Sequence, residues 1–262
     1  MKQNSDEENA MKKKYTMITH LTGLALAFIF GMTSPAQAQD SAKNWPSAMH
    51  DETILTKVML DRLERRHSSS GDISYWEAQA WVGGDINKLW LKTEGNFAQG
   101  KTDDAELEAY FSRAVAAFWD AQFGVRHDFS TADAPSRDWL GVGFQGLAPY
   151  LFEVDTTAYV GNNGRTALRF KAEYDLLLTQ RWVFMPEVEM NAYGKDDPER
   201  NLGSGLSDAS LTLRVRYDIR RELSPYLGVM WTQKYGGTAD YARSVGNRAS
   251  ETQYIAGIRA WW

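Results

Sequence analysis

Few side chains in this sequence can hold a metal ion or attack a bond. Cysteine is absent, which removes thiolate ligands, cysteine nucleophiles and disulfides. Past residue 38 the remaining soft or borderline donors are three histidines, His50, His67 and His127, and five methionines, Met49, Met59, Met185, Met190 and Met230. Thioether sulfur and imidazole together suit soft and borderline cations. Met49 and His50 are adjacent, followed by Asp51. Met230 alternates with Gly228, Thr232 and Lys234, Met59 shares a face with Asp61, and Met185 joins them if its strand stays regular beside Pro186. These three methionines therefore form a candidate thioether cluster, weighed against methionine as an irregular space-filler. His127 falls on the apolar face of Trp119, Ala121, Phe123 and Val125, where a polar tip at an interface is the simpler reading than a ligand. Asp196, Asp197 and Glu199 could take a hard cation such as Ca²⁺, or pair with Arg200. Phosphate-binding glycine loops, HExxH spacing and a GxSxG elbow are absent.

Such donors matter only if the chain aims them at one space. From Thr53 onward, segments of about ten residues alternate in polarity with a period of two. In Arg165 to Leu176 one face carries Arg165, Arg169, Lys171, Glu173 and Asp175, and the other Leu168, Phe170, Tyr174 and Leu176. Leu211 to Ile219 divides the same way, with Thr212, Arg214, Arg216 and Asp218 opposite an apolar face. Twelve such segments fit between Thr53 and Trp262, joined by tight turns such as Gly83-Gly84-Asp85 and Thr179-Gln180-Arg181 alternating with longer links such as FAQGKTDDA and GKDDPERNLGSG. The pattern predicts an all-β, antiparallel transmembrane β-barrel of about 12 strands, with short periplasmic turns and long extracellular loops. A soluble sandwich also alternates, but with shorter apolar faces.

Several details follow from that reading. Trp262, Ala260, Ile258, Ala256 and Tyr254 form a lipid-facing stripe on the last strand, and Trp119, Trp139, Trp182 and Trp231 fall near strand ends as belt residues. Pro186 cannot donate to a closed sheet, so a bulge is expected there, or a strand beginning at Glu187. A hairpin centred on Thr179 sets Lys171 beside Glu187 and Arg169 beside Glu189 within a charge-crowded lumen, which twelve strands leave either filled or open.

The amino-terminal region reads as a leader. Lys12 to Lys14 precede the apolar run Leu21 to Gly31 and an Ala36-Gln37-Ala38 cleavage step, so residues 1–38 are assigned to a leader with a signal peptide, residues 1–10 being an upstream mis-start. Residues 39–52 form a short periplasmic arm and 53–262 the barrel. The leader takes 4 of the 29 basic and 3 of the 34 acidic residues, leaving a net charge near −6 that argues against nucleic acid as a partner.

WVGGDINKLWLKTEG, FWDAQFGVRHDF, GLAPYLFEVDTTAYVG, GRTALRFKAEYDLLLTQR, YGKDDPERNLGSGLSD and KYGGTADYAR resemble the copper resistance protein B family of Gram-negative outer membranes, from about Asp51 to the end. The resemblance implies a non-enzymatic outer-membrane barrel, embedded in outer-membrane lipid, that acts in copper tolerance beside periplasmic copper-handling partners. Copper, as Cu(I) or Cu(II), then becomes the expected ion for Met49, His50, Met59, Met185, Met230 and His127. Family members often carry a Met- and His-rich segment before the barrel, and here only Met49-His50-Asp51 stands in that place. Two other readings stay open: a lipid-modifying hydrolase, which needs serine, histidine and acid converging on the lipid face, and a structural barrel without metal chemistry.

Overall fold

The computed structural model describes residues 54–98, 101–130 and 134–262. The stretches expected to form the leader and the arm, and with them Met49 and His50, lie outside the described residues. Thirteen strands follow: β1 (Leu55–Ser68), β2 (Gly71–Gly83), β3 (Asn87–Ala98), β4 (Lys101–Ala116), β5 (Trp119–Asp128), β6 (Arg137–Ala148), β7 (Phe152–Gly161), β8 (Thr166–Glu173), β9 (Leu176–Leu177), β10 (Trp182–Tyr193), β11 (Gly205–Tyr217), β12 (Leu223–Lys234) and β13 (Ser250–Trp261). Each pairs antiparallel with its neighbour, and β1 closes on β13 from Met59↔Trp261 to Ser68↔Gln253. Both β8 and β9 pair with β10, so the two are one interrupted crossing and the barrel has twelve passes. Closure leaves no open sheet edge, which is what hydrocarbon demands of a spanning backbone.

Alternation sorts the two faces as in a membrane barrel. Phe123, Val125, Leu140, Val142 and Phe144 are exposed on the outside, whereas Arg214, Thr212, Glu187 and Glu64 are buried in the interior. That is the inverse of a water-soluble core, and it is stable only when lipid covers the apolar exterior. Rings collect at the rims: Trp182 and Trp262 lie exposed at the end where both chain termini of the barrel meet, the inner rim, while Trp231, Tyr235 and Tyr254 lie toward the other.

Local chemistry accounts for several departures from strict pattern. Pro186 causes no bulge in β10, which runs unbroken from Trp182 and pairs Pro186↔Leu213 with β11. Its carbonyl accepts from Tyr174 N at 3.1 Å, so its missing donor faces the β8–β9 side, and the gap at Tyr174 and Asp175 falls opposite that position. The hairpin is centred one residue later than expected, pairing Glu189↔Lys171, Asn191↔Arg169 and Glu187↔Glu173. FAQGKTDDA is not a long loop, because β3 reaches Ala98 and β4 begins at Lys101. Trp139 points inward rather than to a lipid belt, since its indole N–H has an acceptor there, Asp128 Oδ2 at 2.9 Å. Ala260 keeps its outward parity but is covered by its neighbours, being too short to reach past them.

Candidate functional site

The interior is strung with ion pairs that cross the bore. Lys171 on β8 reaches Glu77 on β2 at 2.8 Å, six passes away and therefore diametrically opposite. Arg169 holds Glu106 on β4 at 2.7 Å, and Lys92 on β3 holds Asp155 on β7 at 2.8 Å. The densest knot surrounds Arg62 on β1, whose guanidinium meets Glu77 at 3.0 Å and Glu173 at 2.9 Å and also contacts Glu187. Arg214 joins Glu187 at 3.2 Å to Glu64 at 3.1 Å, and Glu64 also accepts from Arg66 at 2.6 Å. Glu173 and Glu187 sit directly opposite each other across strands, a pairing that is repulsive unless a cation lies between them; Arg62 does.

A bulge makes this possible. In β1 the pairing shifts by one residue between Leu60 and Leu63, so Asp61 and Arg62 both face the lumen, followed by Glu64, Arg66 and Ser68. Strict alternation from Met59 would have turned Arg62, Glu64 and Arg66 toward lipid, and this is why the sequence pattern missed them. Elsewhere glycines make room for the interior aromatics: a Cβ on Gly124 would lie 2.0 Å from Ala109 O and 2.6 Å from the Tyr110 ring. Tyr110 and Tyr159 then both donate to Glu108 Oε1, at 3.2 and 2.7 Å.

Two chambers flank the knot. The inner one, about 360 Å³, is lined by Met185, Glu153, Asp155 and Arg259 among others, with nine carboxylates against five cationic side chains. The outer one, about 510 Å³, includes Met230, Lys234, Asp208 and Arg200, with seven of each sign. Arg62, Glu94, Glu106, Arg169 and Glu189 border both.

The outer mouth is roofed. A helix, α1 (Gly236–Ser244), buries Thr238, Ala239 and Ala242, and Thr238 Oγ1 accepts from Gly203 N at 2.9 Å in the loop before β11. In that loop Asp197 is 4% exposed and accepts Arg137 Nε at 2.9 Å and Nη2 at 3.0 Å, with Arg165 Nε at 3.1 Å. Asp196 accepts from Ser204 N at 2.6 Å, which holds its carboxyl below the usual range. These acids are therefore committed to arginines and backbone rather than arranged around a hard cation. Arg200, their expected partner, instead binds Pro135 O at 2.8 Å and Asp104 at 3.1 Å.

The expected donors all receive positions except Met49 and His50. Met59 faces inward and packs with Trp90 and Tyr110, beside Trp81 and Trp261. Met185 faces inward, its Sδ 3.4 Å from Arg216 Nη1. Met230 also faces inward but in the outer half of β12, on the outer chamber, because it pairs with Thr212 and Gln253 well above the inner rim. The three thioethers are thus lumenal but lie in separate surroundings. His127 is on the outward face, Nδ1 2.6 Å from Asp138 and edge-on to Phe129. Among the described residues no serine or threonine lines the shallow pocket beside that pair. Among the described residues no group of three or more His, Cys, Asp or Glu side chains is arranged for a metal ion.

A closed twelve-pass barrel with a lipid-facing exterior and an ion-paired lumen is an outer-membrane, porin-like protein. Its fold is similar to the KdgM porin (TM-score 0.51, 12% identity, 79% of this chain and 98% of that one) and the NanC porin (TM-score 0.53, 13% identity, 79% and 99%). Residues 54–262 match the family model described as copper resistance protein B precursor (CopB). The chain is 45% identical over 215 residues to Copper resistance protein B of Escherichia coli, covering 82% of this chain and 72% of that protein. It is 41% identical over 214 residues to a Copper resistance protein B homolog of Pseudomonas syringae pv. tomato, with the same two shares. The chain belongs to the copper resistance protein B family.

Proposed function

We propose that this barrel contributes to copper tolerance by letting copper ions bind and pass through its lumen, without catalysing a reaction. The observation that carries this reading is the acidic excess of the inner chamber, nine carboxylates against five cationic groups, inside a protein of a copper resistance family. A confined space with low-dielectric walls and negative lining raises the local concentration of cations. Met59, Met185 and Met230 supply one thioether each along the lumen, which suits brief successive contacts with a soft cation better than one tight site. Met49 and His50 are proposed as additional ligands ahead of β1. His127, turned outward onto Asp138, is the weakest of the expected ligands. Periplasmic copper-handling proteins are the proposed partners at the inner mouth.

The test is copper flux into proteoliposomes, with Cu(I) under anaerobic conditions and Cu(II) in air, alongside copper tolerance of a deletion strain complemented by the same variants. Flux above that of empty vesicles in at least one oxidation state is expected, reduced when Met59, Met185 and Met230 are replaced together by leucine. No flux in either state, with unchanged tolerance on deletion, would sink the proposal.

A further inference from the structure

We propose that Arg62 is the keystone of a charge septum that separates the two lumenal chambers and sets which ions cross the barrel. The septum is the knot of Arg62, Arg66, Lys171 and Arg214 with Glu64, Glu77, Glu173 and Glu187: four cationic groups against four carboxylates.

Three observations single out Arg62. It borders both chambers, as Arg169 also does, but the carboxylates of Arg169 all lie on the adjacent strands β3 and β4, whereas those of Arg62 come from three strands. It is 6% exposed although it lies between two cavities, because carboxylates from β2, β8 and β10 close around it. Those strands lie on different sides of the bore, so a single guanidinium on β1 spans it, and only a planar group with several donors can satisfy three acceptors in different directions. The neighbouring pairs cannot replace it. Arg214 reaches Glu64 and Glu187 along the near wall, and Lys171 reaches Glu77 but has one nitrogen for the task.

The charge balance gives the proposal a sign. Removing Arg62 leaves three cationic groups against four carboxylates and takes away the side chain that spans the bore, so the opening that results is cation-selective. Removing the charge of Glu173 leaves Arg62 in place and tips the balance the other way. Glu173 is the partner that lies across the bore from Arg62 without a second cation bonded to it, at 17% side-chain exposure, so neutralising it removes one contact of Arg62 alone.

Planar-bilayer recording in potassium chloride tests this without copper, so its failure would leave the copper proposal to its own flux assay. The wild-type barrel is expected to show small, infrequent conductance steps. Arg62→Ala, verified as folded by heat-modifiable migration, is expected to raise conductance several-fold and, under a salt gradient, to move the reversal potential toward that of potassium. Glu173→Gln is expected to leave conductance low and move the reversal potential toward that of chloride. Should Arg62→Ala not fold, the direction of the Glu173→Gln shift decides the matter. Wide, porin-like conductance in the wild type, or unchanged conductance and reversal potential in a folded Arg62→Ala barrel, or an unchanged or opposite shift in Glu173→Gln, would overturn the proposal.

Discussion

Replacing Asp197 with asparagine should release the loop that roofs the outer chamber. The carboxylate is almost fully buried and holds two nitrogens of Arg137 at 2.9 and 3.0 Å, with Arg165 at 3.1 Å. Burial pushes its pKa up, but the hydrogen bonds and charge of Arg137, with Arg165 and Arg200 behind them, outweigh that and hold it below the usual value. Asparagine keeps the shape and one acceptor oxygen, loses the charge, and turns an amide N–H₂ toward an arginine. A hydrogen bond to a charged group contributes about 1.5–3 kcal/mol, so the substitution should cost the closed loop about 2–3 kcal/mol, allowing for the acceptor retained. At 1.4 kcal/mol per factor of ten that is a roughly 30- to 150-fold rise in the opened population. Hydrogen exchange of the loop reads it directly, because Asp197 N and Leu202 N are bonded to the opposite carbonyls at 2.8 and 3.0 Å and exchange only on opening. The pH dependence has a fixed sign. A carboxyl with a depressed folded pKa contributes fully above its unfolded value of about 3.9 and loses that contribution as pH falls through the folded value. Wild-type protection should therefore decline toward that of the variant in acid and stay constant through neutrality. Equal protection of the two proteins at neutral pH, or wild-type protection that weakens as pH rises, would refute the reasoning.

Further perturbations probe the wall and its lining. Phe123→Arg places a charge on the exposed outward face in the middle of β5, and should cost about 2–4 kcal/mol in folding into lipid vesicles, read from urea titrations; no cost there would mean that lipid does not touch that face. Trp139→Phe removes the donor to Asp128 and leaves a buried carboxylate oxygen short of a partner, at about 1–3 kcal/mol by the same titration. Gly124→Ala forces a methyl against Ala109 O at 2.0 Å, so the heat-modifiable, assembled fraction should fall sharply; assembly at the wild-type level would show that β4 and β5 can move apart.

The wall of this barrel was legible in the sequence because lipid and lumen impose opposite polarity on alternate residues. Arg169, Lys171 and Glu173 against Leu168 and Phe170 is enough to set a face, and the twelve passes follow within a few residues. The partners inside the lumen were not legible. Lys171 meets Glu77 because closure and strand tilt bring β8 opposite β2, which no local spacing encodes. The register of the hairpin differs by one residue because the turn is centred on Gln180, with Thr179 Oγ1 accepting from Arg181 N and Trp182 N, and the pairing keeps that register on both sides of the gap opposite Pro186. Trp139 misled because an aromatic near a strand end looks the same whether it faces headgroups or a carboxylate. The helix over the outer mouth opens on Gly236-Gly237, a pair that marks a link between strands and gives no local sign of a helix. The methionines were placed correctly on the lumenal face but not at a common height, since parity fixes direction and says nothing of depth.

The irregularity in β1 has a consequence for tolerance to length change. A one-residue deletion in a spanning strand normally exchanges inside for outside beyond the cut, sending charges into hydrocarbon. Asp61 is the supernumerary residue of its strand: without it, Met59 and Leu60 run straight into Arg62 with the facing of both halves preserved. Shortening the wall by that one amino acid leaves its lipid-facing pattern intact, and what disappears is one lumenal carboxylate with its contacts to Gln79 and Arg259.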